Sequence, residues 1–317
     1  MKHNRRTAVI ALGGNTIIRE GQEGNIHQQF ENTRNTLPGI MELIKQQYRL
    51  VITHGNGPQV GNLFLMVEST RDFIPELPLG VCVADTQSQI GYMIQQALQN
   101  HLIQHGCQRS VVTLITQIVV DKNDPALRVP KKPIGPIYSE EKAREIERHY
   151  PWNVFGDSER GYRLVVPSPA PVRIVETPVI HSLLERDVIV IAGGGGGIPV
   201  VVEDDQTYEG VDVVVEKDLS SCVIAHDIGA ELLIILTKVE KVAVNFNTPR
   251  EKTFTRLHIE DAMSYLEQGQ FPSTTMGPKI RAALDFLRSG GEEVIITSAR
   301  KLKDALAGKT GTHIVKY

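Results

Sequence analysis

The sequence predicts an α/β fold with helices on both sides of a mainly parallel open sheet. Three observations carry that prediction. Apolar runs of strand length recur along the 317 residues. They are rich in valine and isoleucine and mostly lack alternation, as strands buried on both faces do. Segments of helix length separate them, several with one apolar stripe.

The strand candidates are residues 7–12, 50–53, 111–120, 188–192, 211–215, 232–237 and 293–297. A helix is predicted over 89–104, where Ile90, Met93, Ile94, Ala97 and Leu98 share one stripe. Thr177-Pro178 starts another, with threonine as cap and proline in the first turn. Gly277-Pro278 opens a third, carrying Ile280, Ala283, Leu284 and Leu287 on one face, and Gly290-Gly291 ends it. Pro38-Gly39 interrupts the first long helical pattern and is expected to bend it. Between Asp121 and Pro171 the rhythm breaks: eight prolines and the only tryptophan, Trp152, fall there. This stretch reads as an inserted subdomain or lid, the alternative being a surface excursion without function.

Composition narrows the function. The net charge of -3 and the lack of a long basic run argue against nucleic acid as a partner. No apolar run approaches the roughly 20 residues of a membrane span. The basic start runs into an apolar stretch too short for a signal peptide. Cys82, Cys107 and Cys222 are far apart and odd in number, which fits small apolar side chains in a reducing, cytoplasmic setting.

Four strand candidates run into small or polar loops: Gly13-Gly14-Asn15, His54-Gly55-Asn56-Gly57-Pro58, the five glycines 193–197, and Glu216-Lys217-Asp218. Loops without Cβ atoms let backbone N–H groups converge on an anion. In open parallel sheets such loops lie where ligands bind. Four of them point to a phosphate-bearing substrate. The five glycines alone leave a dinucleotide fold, a nucleotide kinase and a flexible turn open. However, G-x-x-x-x-G-K-[ST] is absent, and strand-like Ile-Pro-Val-Val-Val follows the glycines where a dinucleotide fingerprint needs a helix.

Phosphoryl transfer needs positive charge on the moving group. Lys217 and Lys279 are the candidates. Lys279 falls in a first helical turn, where a cation opposes the helix dipole unless an anion is bound. Asp218 is a plausible cap for a helix over 219–228, and could orient the two lysines or help hold Mg²⁺. The ten histidines show no metal-ligand spacing. His54 is either a substrate contact or a histidine bonded to neighbouring backbone. Ser220, Ser221 and Tyr92 read as structural, since no base accompanies them.

Taken together, Ala11-Leu-Gly-Gly-Asn15, Thr53-His-Gly-Asn-Gly-Pro-Gln-Val-Gly61, Lys132-Pro-Ile-Gly-Pro136, the stretch 194–200, Glu216-Lys-Asp218 and Met276-Gly-Pro-Lys279 resemble the motif set of the carbamate kinase family, of the amino-acid-kinase fold. Ile90-Gly-Tyr92, Gln95-Gln96, Asn245-Phe-Asn247 and Pro249 add to the match.

The resemblance implies a three-layer αβα sandwich. An N-terminal acceptor lobe would span 1–210, with a small protruding lid subdomain at 121–171, and a nucleotide lobe would span 211–317. It implies ATP + carbamate ⇌ ADP + carbamoyl phosphate with Mg²⁺, in arginine metabolism, often run toward ATP, by a cytoplasmic homodimer. It makes Lys217 and Lys279 the lysines that neutralise the moving phosphoryl group, Asp218 the aspartate that positions them, and Lys132 a lysine delivered by the protruding subdomain. Gly13, Gly14, Asn15, Gly55, Asn56, Gly57, Gly194 and Gly195 would surround the phosphoryl group and acceptor. Thr237, Asn245, Met276 and Gly277 would hold the nucleotide. The family's Met-Ser-Gln-Gly is replaced by Asp85-Thr86-Gln87-Ser88. Asp85 near the acceptor pocket should repel carbamate unless it faces away or pairs with a cation. Lys238 and Val239-Glu240-Lys241 depart from the family's usual Val-Asp nucleotide loop. Three readings follow: this reaction, the same chemistry on another small carboxylate, or a nucleotide-binding regulatory homologue.

Overall fold

The computed structural model describes residues 5–19, 21–149, 153–157 and 161–316; Pro151 and Trp152 lie outside them. The strands in chain order are β1 (Thr7–Leu12), β2 (Arg49–His54), β3 (Val111–Thr113), β4 (Gln117–Val120), β5 (Lys132–Tyr138), β6 (Asn153–Asp157), β7 (Gly161–Val166), β8 (Pro171–Ile174), β9 (Ile189–Ile191), β10 (Ile198–Val202), β11 (Tyr208–Gly210), β12 (Leu232–Thr237), β13 (Val242–Val244), β14 (Lys252–Phe254), β15 (Arg256–His258), β16 (Glu293–Ser298) and β17 (Thr312–Val315). The α-helices are α1 (Gly14–Ile17), α2 (Ile26–Arg34), α3 (Leu37–Lys45), α4 (Gly57–Thr70), α5 (Leu79–Gln104), α6 (Glu140–His149), α7 (Thr177–Glu185), α8 (Lys217–Asp227), α9 (Ile259–Glu267), α10 (Met276–Arg288) and α11 (Leu302–Leu306).

Eight strands form the main sheet in the order β15-β17-β16-β12-β1-β2-β9-β3. All its pairings are parallel except β16 with β17. The missing alternation has the expected cause. In β1, Val9 and Ala11 join the core under α7, α8, α9 and α10, while Ala8, Ile10 and Leu12 join the one under α3, α5 and α11. Both faces are dry, so positions 8–12 are all apolar. The α/β sandwich is therefore as predicted, with helices on both faces.

Several sequence expectations need correction. The run 111–120 is two strands in different sheets: β3 at the edge of the main sheet and β4 in the sheet β11-β10-β4-β8. The break is at Thr116, whose N–H donates to the Gln87 side chain and whose hydroxyl accepts from the Gly193 N–H, so polar partners replace the ladder. The run 211–215 is a connector instead of a strand. It is apolar because Val214 and Val215 are buried in two different cores. Pro38-Gly39 does not bend a helix: Pro38 sits in the first turn of α3, a new helix. The stripe predicted over 89–104 belongs to a helix that starts ten residues earlier. Thr177 is the first helical residue rather than the cap, and its hydroxyl donates to the Ile174 carbonyl.

The proline-dense insertion leaves β4 and returns at β8. Its β5, β7 and β6 form a separate antiparallel sheet, covered by α6. It rests on α4 by backbone against backbone. A Cβ on Gly61 would lie 1.9 Å from the Gly135 Cα, and Gly135 itself has φ +69°. Gly61→Ala is thus expected to weaken this docking by about 1–3 kcal/mol. The check is faster hydrogen exchange in β5 and β7 with β1 and β12 unchanged. Alanine's helix preference acts in the opposite sense by about 1 kcal/mol, so slower exchange would show that the close contact does not exist.

Candidate active site

The carboxyl ends of β1, β2 and β9 face one cleft. Gly14, Gly55, Asn56, Gly57, Gly195, Lys132 and Lys217 line it, with Pro58, Pro133, Arg163, Val215 and Glu216, around a space of about 230 Å³. Beside it, Thr237, Met276 and Lys279 line a larger cavity of about 510 Å³, with Lys238, Lys241, Phe246 and Phe271 among the other walls. Arg163 borders both.

Between the two cavities lies Asp218, fully buried at the start of α8. One carboxylate oxygen contacts the Lys217 ammonium, and the other is 2.8 Å from that of Lys279, which α10 supplies. Burial by itself would raise the Asp218 pKa, but the two lysines override it and hold the carboxyl well below its usual range. Burial lowers the Lys217 pKa, and Lys279 adds to this while Asp218 opposes it. Asp218 does not cap α8. The helix begins at Lys217, Glu216 takes the cap position, and the carboxylate is committed to the lysines. With both oxygens so engaged, Asp218 is a poor magnesium ligand. Among the described residues no group of three His, Cys, Asp or Glu side chains could hold a metal.

The insertion contributes Lys132, whose ammonium pairs with Glu216, and Arg163, which donates twice to the Gly135 carbonyl, at 3.1 and 2.7 Å. Around the cleft, three ammonium groups therefore face two carboxylates, and Arg163 adds a further cation. The surplus is positive. Nothing in the sequence singled out Arg163. Its role depends on how the insertion folds back, and a lone arginine in a strand carries no signal of that.

The glycines act by letting elements approach. A Cβ on Gly55 would press on the Lys217 side chain at 3.1 Å and the Gly14 nitrogen at 3.2 Å. One on Gly195, already at φ +66°, would lie 2.3 Å from the Asn56 amide. Gly13 and Gly194 stand one residue behind the cleft. The Gly13 N–H donates to the Leu236 carbonyl, and Gly194 packs on the His54 ring. Asn15 falls in α1, after the Gly14 turn. Asn56 donates to Thr86, and Gln87 donates to the carbonyls of Thr116 and Gly194. These two inward residues of α5 replace the Ser-Gln of the family pattern. Asp85 and Ser88 are exposed and line neither cavity, so the expected repulsion of an anionic acceptor does not arise.

At the larger cavity, Gly277 donates to the Pro272 carbonyl and shapes the wall beside Met276. Asn245 does not line the cavity. It forms a turn at φ 52°, holding Gln270 and Thr248, and that turn presents the half-exposed Phe246. Glu240 is turned aside to Thr310. Ser220 donates to the Gly196 carbonyl and Ser221 meets Thr53, so both are structural as expected. Burial pushes the thiols of Cys222 and Cys82 up to about 12 and about 11, which suits apolar packing.

A positively charged cleft at the ends of parallel strands, beside a larger cavity with Arg163 bordering both, is the arrangement of a phosphotransferase. The comparisons agree. The amino acid kinase family model matches residues 6–298, and the chain belongs to that family. Within it, the chain is 46% identical over 312 residues to carbamate kinase from Pyrococcus furiosus, covering 98% of this chain and 99% of that one. It is 45% identical over 315 residues to the carbamate kinase-like protein YahI of Escherichia coli, again covering 98% and 99%. The structure of carbamate kinase from Giardia lamblia bound to AMP-PNP superimposes with a TM-score of 0.90 at 38% identity, over 98% and 99% of the chains.

His54 gives a pH signature. Its ring is buried, and burial, with Lys217 adding, lowers its pKa from 6.5 to about 4 against the opposing bond to the Gly55 carbonyl. The folded state refuses a proton that the unfolded chain accepts below pH 6.5. This part of the stability is complete above pH 6.5 and declines as the pH falls toward 4, by roughly 3 kcal/mol. Urea midpoints of the unaltered chain and of His54→Gln between pH 7 and pH 4.5 test it. The variant should lack this component of the slope, and equal slopes would refute the assignment.

Proposed function

We propose that the chain catalyses ATP + carbamate ⇌ ADP + carbamoyl phosphate. The observation that carries this reading is the Lys217–Asp218–Lys279 cluster at the junction of a phosphate-sized cleft and a nucleotide-sized cavity. In this reading residues 1–210 form the acceptor lobe, with 121–171 as lid, and 211–317 form the nucleotide lobe. Thr237, Met276 and Phe246 face the nucleotide, and Gly277 shapes its wall. The phosphoryl group passes between Lys217 and Lys279, while Lys132 and Arg163 close over it from the insertion. Gly14 and Gly57, at the starts of α1 and α4, offer backbone donors, while the Gly55 N–H is held by the Leu12 carbonyl.

Carbamate is already an anionic nucleophile, so the site needs no general base. Positioning and charge neutralisation suffice. Asp218 keeps the two lysines together in the absence of phosphate. With no cluster of carboxylates among the described residues to hold it, Mg²⁺ would be held chiefly by the nucleotide's phosphates and by water, and would supply charge neutralisation there.

A cytoplasmic homodimer making ATP from carbamoyl phosphate in arginine metabolism completes the proposal. The outer face of α5, with Tyr92 and Ile103 exposed, and the open edge of β3 are the surface offered to a second copy. Transfer to another small carboxylate has lost its support, because Asp85 and Ser88 face away from the cleft.

The test is ADP phosphorylation by carbamoyl phosphate with Mg²⁺. Lys217→Ala should lower the rate roughly 100-fold or more. Asp218→Asn should lower kcat with a smaller change in KM for ADP, since Asp218 itself lines neither cavity and Thr237, Phe246 and Met276 keep their places. No turnover by the unaltered chain, or full turnover by Lys217→Ala, would overturn the proposal. Tight ATP binding without transfer to carbamate or any other acid would favour a regulatory role.

A further inference from the structure

We propose a second anion site, back to back with the nucleotide cavity, that takes a compact anion of the phosphate class. A separate cavity of about 350 Å³ opens at the carboxyl ends of β1, β12 and β16. These are three consecutive neighbours in the main sheet. Thr16 and Arg19 border it after β1, Thr237 and Lys238 at the end of β12, and Ser298 and Arg300 at the end of β16. Hydroxyls and cations thus converge from three strand ends, and no carboxylate is among the described residues that line it.

The guanidinium groups of Arg19 and Arg300 form no ion pair among the described residues, whereas Lys238 already makes an interaction of its own. The planar forks of the two arginines, with the Thr237 and Ser298 hydroxyls in the same cavity wall, match the oxygens of a phosphoryl group; the Thr16 and Thr36 hydroxyls donate to the Gly13 and Thr33 carbonyls. Strand ends in a parallel sheet are where such ligands sit.

This cavity is distinct from the Lys217–Asp218–Lys279 cluster. α1, α3 and the turn at Ala299–Lys301 pack in the core on one sheet face, and α8 and α10 in the core on the other. Thr237 and Lys238 line both this cavity and the nucleotide cavity, so the two ligands share one wall. An anion bound here sits where it can bias nucleotide binding through that wall.

Inorganic pyrophosphate, titrated calorimetrically, is the probe. In the unaltered chain it should occupy two sites, the catalytic cleft and this one. In Arg19→Gln/Arg300→Gln one site should remain, the other being weakened roughly tenfold or more. ATP formation without pyrophosphate should not change, because neither arginine belongs to the catalytic cluster. In Lys217→Gln/Asp218→Asn/Lys279→Gln, which neutralises the cluster without stranding a buried charge, one site should also remain. If that variant does not fold, the comparison of the unaltered chain with the arginine variant decides by itself.

One site in the unaltered chain, two undiminished sites in the arginine variant, or loss of both sites with saturating ADP would overturn the proposal. The inference rests on the kinase reading only in taking the Lys217–Lys279 cleft as the other pyrophosphate site. Failure of the kinase reading would appear as no ATP formation by the unaltered chain, a measurement independent of Arg19 and Arg300.

Discussion

The site depends on one buried carboxylate held between two lysines. Asp218 has no contact with solvent, and removing a carboxylate from water costs several kcal/mol unless charge and hydrogen bonds compensate. Lys217 from α8 and Lys279 from α10 both compensate it. The arrangement fixes the relative position of two helix N-termini, and it leaves one positive charge unbalanced where a phosphoryl group would pass. Two ammonium groups that would otherwise repel are thereby held at a fixed spacing before substrate arrives. This preorganisation is what makes charged groups effective in a partly dry cleft.

The glycines serve that geometry. Lys217 can lie along Gly55 because no side chain is there, and Gly55 in turn lies against the Gly14 nitrogen. The five-glycine turn works in the same way. Gly194 sits on His54, Gly195 on Asn56 and Gly196 on the Val215 carbonyl, so three segments converge within van der Waals distance. His54 stays neutral because this packing excludes water from its ring. The run supplies little cradle of its own. Its main contribution is to let the second strand loop and the start of α8 meet.

How much of this was legible follows from range. β1, β10 and β12 matched their apolar runs to the residue, because burial on both faces writes itself into local composition. The run 211–215 has the same composition for another reason: it threads between two cores, and a connector buried in that way looks like a strand. Thr116 is polar and marks the break between β3 and β4. Its partners, Gln87 and Gly193, are distant in sequence, so the break could not be read locally. The cluster of Lys217, Asp218 and Lys279 was readable from strand-end loops and helix starts. Which way Asp85 faces was not, because that depends on the rotation of α5, and the sequence pattern was read as a helix only from residue 89. Arg163 was invisible for a similar reason, since the insertion places it; the motif Asn245-Phe-Asn247 was legible, but the turn that presents Phe246 instead of Asn245 to the cavity was not.

The insertion shows how a small subdomain can deliver charge without rebuilding the core. It meets the body through its own apolar cluster, with Ile134, Ile146 and Leu164 packed against Val60, Leu79 and Val83. Its position over the cleft is then set at two points. At one, the backbones of Gly61 and Gly135 touch, which leaves little freedom to slide. At the other, Lys132 pairs with Glu216, the residue next to Lys217. The second contact is electrostatic and partly exposed, so a phosphate entering the cleft competes for Lys132 on favourable terms: it carries more negative charge than Glu216 and lies among further cations. Exchange of Lys132 from carboxylate to phosphate would tighten the insertion over the cleft only when an anion is there. In the proposed reaction the glycine contact would keep the insertion in register while the lysine, by changing partner, would couple its position to the charge in the cleft.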